Sequence, residues 1–285
     1  MWTIDPPDVG DVDAQLNAAL IHKDGTVVYA LTVAERAAIA ALYATYDELS
    51  GEPDPSLLPA ALDACKDALH TAYGQLQKGG RLANLRGTLL AAVMECPLCG
   101  FEAATTLDHH LPKDDYRALS IYSRNLVPSC QPCNRAKGTL KPIAGEGLIH
   151  AYFQTLPDFT FLIADIQFAG GTLVVTFSID NMFLPAGLGE RLTFHLQRLN
   201  LNKRYFDPVN IFLFNLKPSL NLFRGQPDEA GQIKTFLLAS ATSYDGDFKL
   251  NHWRSALMRG LAACDDFLVD PWSYLDRPLH MIKAA

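Results

Sequence analysis

Two Cys-x-x-Cys pairs, Cys96/Cys99 and Cys130/Cys133, bracket a run that holds Asp108, His109 and Asn125, and Asn134 directly follows the last cysteine. Each pair has the tight spacing with which two thiolates on one turn grip a single ion. Two such turns complete a closed, tetrahedral, four-thiolate zinc site. A closed site leaves no open position for a substrate, so any chemistry belongs to what the clamp holds. Within the clamp, His109 carries a side chain that can take up a proton near neutral pH. Zinc at Cys96, Cys99, Cys130 and Cys133 would staple together the two ends of a segment too small to bury a core of its own.

Three short runs lie inside the clamp: Asp-His-His-Leu-Pro at 108–112, Arg-Asn-Leu-Val-Pro at 124–128 and Cys-Asn-Arg-Ala-Lys-Gly at 133–138. Their order and intervals resemble the HNH nuclease family, whose ββα-metal fold usually shows Asp-His-x-x-Pro, a central Asn-Leu and a final Asn or His. The resemblance covers residues 96–138 and implies metal-dependent hydrolysis of a phosphodiester, most naturally in DNA, leaving a 5′-phosphate and a 3′-hydroxyl. It makes His109 the general base and Asn125 a brace behind it. Asp108 and Asn134 become ligands of a catalytic Mg²⁺ or Mn²⁺, with Asn134 standing where many members have His. Such a cation would polarise the phosphoryl oxygen and stabilise the departing 3′ oxygen.

His110 is the neighbour of the base and in an extended segment faces the other way, toward packing or a phosphate. His110, Lys113, Arg124, Arg135 and Lys137 are the candidate nucleic-acid contacts, and Arg117 is a further basic residue of the same stretch. A second, looser resemblance is to the HNH subunits that bacteria pair with an SMC-like ATPase in phage defence. It implies an ATPase partner docked on the flanking regions. The competing reading is a zinc-stabilised nucleic-acid-binding or interaction module without catalysis. RNA is an alternative substrate, since nothing in the motif reads a sugar.

The rest of the chain must position this segment. Its 285 residues can bury more than one core, and 49% hydrophobic with 19% charged residues describes a folded protein. The net charge of −7 does not advertise nucleic-acid binding. Locally the balance reverses: over 96–141 the basic residues Lys113, Arg117, Arg124, Arg135, Lys137 and Lys141 outnumber Glu102, Asp108, Asp114 and Asp115. Cys65 and Cys264 fall in apolar, helical surroundings and read as buried thiols, which points to a reducing, cytoplasmic compartment. The first residues lack a basic head, and no run of about 18 apolar residues suggests a membrane span. No G-x-x-x-x-G-K-S/T run supplies a nucleotide site.

The expected fold class is α+β, with three parts. A mainly helical region, 1–95, starts with a short strand at 26–31. Its first long helix opens at Thr32, where Glu35 completes a capping box, and further helices follow over 56–77 and 81–94. Tyr43, Tyr46 and Tyr73 read as core aromatics in preference to a base-stacking set. The nuclease module with its zinc knuckles spans 96–145. A mixed α/β region, 146–285, contacts a partner or nucleic acid, and a second copy of the chain is a further candidate partner. In it, 161–168 and 173–179 alternate around Gly170-Gly171 as a hairpin, with a helix over 188–199 to cover one face. His195 on that helix reads as a core histidine. Further helices are expected at 230–240 and 251–267, with Trp272 and Tyr274 docking the tail.

Overall fold

The computed structural model describes residues 3–143, 147–169 and 172–277, which divide into two compact units, 3–155 and 156–277. The fold is α+β. The first unit carries helices α1 (Val12–Ala19), α2 (Val33–Glu48), α3 (Lys66–Ala72) and α4 (Ala83–Ala91), then strands β1 (Thr106–His109) and β2 (Leu126–Ser129) and helix α5 (Gln131–Lys137). The second carries strands β3 (Leu162–Ala169) and β4 (Thr172–Ile179), then α6 (Leu188–Arg198), α7 (Leu201–Arg204), α8 (Phe206–Leu220), α9 (Glu229–Phe248), α10 (Trp253–Ala263), α11 (Asp265–Val269) and α12 (Trp272–Leu275).

Helix α2 starts where its sequence says it should. The Thr32 hydroxyl accepts from the Glu35 N–H at 3.2 Å, and the Glu35 carboxylate accepts from the Thr32 N–H at 2.8 Å, so two otherwise orphaned donors are satisfied. Ile39, Leu42, Tyr43 and Tyr46 form its buried face at helical spacing. Tyr43 stacks on Tyr122 with ring centroids 4.0 Å apart, and Tyr46 meets the same ring edge-on at 5.5 Å. The aromatics of α2 are therefore core residues, and the core they belong to runs on into the motif through Leu107, Leu111, Leu119 and Leu126.

Two expected elements of the first unit differ. The helix expected over 56–77 is broken into single 3₁₀ turns at Pro55–Leu57 and Ala60–Leu62, then α3, then a 3₁₀ turn at Tyr73–Leu76. Pro59 is the cause, since it offers no N–H and drives the residue before it out of the helical region, and Leu58 sits at φ −124°, ψ 55°. The apolar positions survive the break: Leu62, Cys65, Leu69 and Leu76 are all buried. The strand expected at 26–31 is a single bridge, Ile21 to Val27.

In the second unit β3 and β4 pair antiparallel, with Leu162 opposite Ile179, Ala164 opposite Phe177 and Phe168 opposite Leu173. This is the register the alternation implies; the expected turn residues Gly170 and Gly171 lie outside the described residues. The helix that lies closest over β3 is α10 instead of the 188–199 helix, which touches β4 as α6. Gly260 makes the approach to β3 possible, because a Cβ there would lie 2.4 Å from the Ala164 carbonyl oxygen. The helix expected over 251–267 is interrupted at Cys264, which adopts an extended backbone between α10 and α11. His195 is fully buried on α6. Among the described residues no helix is long and apolar enough to cross a membrane.

Candidate functional site

Strands β1 and β2 set Asp108 opposite Val127 and His109 opposite Leu126, and α5 packs back on β1. The four cysteines close the unit at its ends. Cys96 and Cys99 lie on a turn in which the Gly100 N–H reaches the Cys96 carbonyl at 2.7 Å, with Gly100 in the left-handed region at φ 77°. Cys130 caps α5, its sulfur accepting from the Cys133 N–H at 3.4 Å. All four Sγ atoms lie within 4.8 Å of one another and all four residues are buried. Zinc–sulfur bonds of about 2.3 Å in a tetrahedron place sulfurs about 3.8 Å apart. The Cys99–Cys130 separation is 3.8 Å. Donor chemistry and dimensions thus both fit a structural zinc site. Crowding of four thiols in one buried pocket pulls their proton affinities apart, down at Cys99 and Cys130 and up at Cys96 and Cys133. A divalent cation relieves that crowding by neutralising several thiolates together.

Between the cysteines, strand alternation sends Asp108 and His109 to different neighbours. Asp108 turns toward α5, where Asn134 and Lys137 share a face at i, i+3 spacing. Asn134 donates from Nδ2 to Thr106 Oγ1 at 3.2 Å and to the Leu107 carbonyl at 3.3 Å, which leaves its Oδ1 as an acceptor. The Lys137 ammonium lies 3.4 Å from Asp108 Oδ1 and also donates to the His109 carbonyl. Burial raises the Asp108 carboxyl to about 6, with the Lys137 charge opposing the rise.

The His109 ring is buried as well. Its Nε2 lies 2.9 Å from the Ser120 carbonyl oxygen, which can only accept, so in the neutral ring the proton sits on Nε2 and Nδ1 is the basic nitrogen. Burial lowers the imidazole to about 4 against the favourable pull of that carbonyl. His109 is therefore neutral at physiological pH and able to accept a proton. Tyr73 packs on it with ring centroids 4.5 Å apart, and its hydroxyl donates to the Leu107 carbonyl at 3.3 Å.

Asn125, fully buried, uses both ends of its amide. Its Oδ1 accepts from the Leu111 N–H at 2.8 Å and from the Tyr46 hydroxyl at 3.0 Å, while Nδ2 donates to the carbonyls of Leu111 at 3.1 Å and Leu119 at 3.3 Å. The loop that presents the Ser120 carbonyl to His109 is thereby pinned at both ends.

The expected nucleic-acid contacts have varied surroundings. His110 is buried, its ring 3.9 Å from that of His150. Lys137 is turned inward by its position one helical turn beyond Asn134 and is only 3% exposed. Arg124 pairs with Asp47 and donates to the Pro7 carbonyl at 3.1 Å. Lys113 sits between His70 Nε2 at 2.9 Å and Asp114 at 3.0 Å, and Arg117 pairs with Asp67 at 2.6 Å. Arg135 is exposed on α5. Ser120 escapes sequence reasoning because it contributes only a backbone oxygen, and His150 because it lies outside every motif.

Residues 96–140 match the family model described as HNH endonuclease. Over a longer span the chain is similar to the protein ea31 of Escherichia phage lambda, 26% identical over 195 residues, which is 63% of this chain and 65% of that protein. It is also similar to the Septu protein PtuB of Bacillus thuringiensis, 47% identical over 45 residues, 16% of this chain and 18% of that one. The chain thus spans just under two thirds of the first relative and under a fifth of the second. No solved structure matches it.

Proposed function

We propose that the chain is a metal-dependent HNH endonuclease that hydrolyses phosphodiester bonds in DNA. The observation that carries this reading is the state of His109: a neutral imidazole, its Nε2 held by the Ser120 carbonyl, on the strand that also carries Asp108. His109 Nδ1 takes a proton from water as the water oxygen forms its bond to phosphorus. The phosphorus–O3′ bond breaks, and the leaving oxygen collects a proton to become the 3′-hydroxyl while the phosphate stays on the 5′ side. Asp108 and the free Oδ1 of Asn134 are the residues that would hold Mg²⁺ or Mn²⁺, hard ions suited to oxygen donors. Bound there, the ion supplies charge neutralisation for the phosphoryl and departing oxygens. Asn125 keeps the loop behind the base in place, and zinc on the four cysteines holds the segment closed. In this reading, 96–145 is the catalytic module within the first unit, and 156–277 serves partner or nucleic-acid contact.

A second reading has a specific observation behind it. Lys137 already neutralises Asp108, so the segment is self-consistent as a zinc-stabilised binding module without a catalytic ion. Plasmid cleavage by wild type and His109→Ala, each with EDTA, Mg²⁺ or Mn²⁺ and with zinc content measured, separates the two. We expect divalent-dependent cutting that His109→Ala abolishes while keeping its zinc. Inert wild type that retains zinc and binds DNA supports the binding module. A labelled RNA substrate in parallel tests the sugar.

The similarity to the Septu protein PtuB, confined to 45 residues around the motif, fits the further proposal that the chain is the nuclease subunit of a phage-defence complex with an ATPase partner. Cleavage that rises on adding the products of the neighbouring genes with ATP, and falls back when ATP is withheld, is the expected sign. Full activity of the isolated chain counts against it.

A further inference from the structure

Three parts of the first unit far apart in sequence converge behind the base. His150 Nδ1 accepts from the Tyr152 N–H at 3.1 Å, so in the neutral ring Nε2 carries the proton and donates to the Tyr46 hydroxyl at 2.9 Å. The Tyr46 hydroxyl then donates to Asn125 Oδ1 at 3.0 Å. Each group is buried and each bond has one consistent direction, so the chain runs from the 150–152 backbone to the amide that clamps the base loop. The backbone makes room for it. Gly51, in the left-handed region at φ 75°, lies so close that a Cβ would fall 2.5 Å from His150 Cδ2 and 3.0 Å from the Tyr46 hydroxyl. The His150 ring also covers His110, the neighbour of the base.

We propose that Tyr46 and His150 are positioning residues for His109. By holding the Asn125 amide they keep the Leu119–Ser120 backbone where the Ser120 carbonyl selects the Nε2–H tautomer and leaves Nδ1 free. The proposal rests on the reading of His109 as the base, but the tautomer can be measured whether or not the protein cuts DNA. Neither residue meets substrate, and neither belongs to the motif.

The test uses the full chain, zinc-loaded and labelled with ¹⁵N-histidine, as wild type and Tyr46→Phe. Tyr46→Phe keeps the ring and its stacking and removes one hydroxyl. Nitrogen signals of His109 should report the Nε2–H form in wild type and a mixture of both neutral forms in Tyr46→Phe. The turnover number should fall about tenfold with KM unchanged, the rate equivalent of one lost hydrogen bond. Wild-type His109 signals in Tyr46→Phe overturn the proposal, as does an unchanged turnover number in a protein whose wild type cleaves. If the wild type does not cleave, alone or with the products of the neighbouring genes and ATP, while the His109 signals respond, positioning stands and the nuclease reading falls. Should Tyr46→Phe fail to fold, His150→Phe breaks the same chain one bond further out, and the same readouts decide.

Discussion

The HNH segment is held at two places by opposite means. At the cysteine cluster four soft donors surround a space the size of one ion, and the local chain has little apolar surface of its own. At Asn125 an amide with four satisfied hydrogen bonds ties the loop beside His109 into the helical core through Tyr46. As a zinc site the first support would be open to chelation and to restoration by added metal. The second is part of the same cooperative structure as α2 and cannot be withdrawn separately. The small hairpin of the HNH segment is thus tied on one side by its cysteine cluster and on the other to the larger domain.

Removing the metal support should have the largest effect. Structural zinc sites contribute about 10–16 kcal/mol of apparent binding free energy, which here is folding free energy of residues 96–138. Stripping zinc, or Cys130→Ser, should abolish cleavage and release backbone protection through this segment in hydrogen exchange. Helices α6–α10 should keep theirs, and a loss of protection there would show that the two units do not hold themselves separately.

Weakening the other support costs less. Asn125→Ala leaves the Leu111 N–H, the Leu111 and Leu119 carbonyls and the Tyr46 hydroxyl without their buried partner, a loss of about 3 kcal/mol. Denaturant unfolding of the zinc-loaded protein should show a lower midpoint with zinc retained. A change of under about 0.5 kcal/mol would mean that the metal alone carries the segment.

Between the supports, the acid response sharpens the contrast. Asp108, raised to about 6, contributes stability that is fully present below the unfolded carboxyl value and is lost as pH rises through 6. His109, lowered to about 4, contributes stability present above the unfolded imidazole value and lost as pH falls through 4. Each amounts to about 3 kcal/mol and the two run in opposite senses across the same window. In protein free of catalytic ion they nearly cancel. Asp108→Asn should therefore lose stability between pH 6.5 and 4 relative to wild type, and His109→Ala should gain it, both read from urea midpoints.

Much of this was legible from residue spacing. The four cysteines were recoverable because two thiolates on a turn need a fixed interval, and the capping box at Thr32 and the β3–β4 register because both are local or periodic. The α+β class followed from those periods. What escaped is non-local. Tyr46 meets Asn125 across 79 residues and His150 across 104, and no periodicity links such positions. Charge alone makes Lys137 a candidate nucleic-acid contact; its place one turn after Asn134 directs it to Asp108. Pro59 breaks the helix that the apolar spacing implies, while Leu62, Cys65, Leu69 and Leu76 stay buried, so periodicity identifies the buried residues and not the element that presents them.

The contact between α7 and β4 has a consequence for how the second unit meets other chains. Asn202 accepts from the Phe177 N–H at 2.7 Å and donates to the Phe177 carbonyl at 3.0 Å. These are the two backbone groups of one residue on the side of β4 that faces away from β3. A two-stranded ribbon leaves both margins open to templated growth by any extended peptide, the first step of amyloid-like assembly. By filling one donor–acceptor pair with a side-chain amide, the chain blunts that margin without adding a strand.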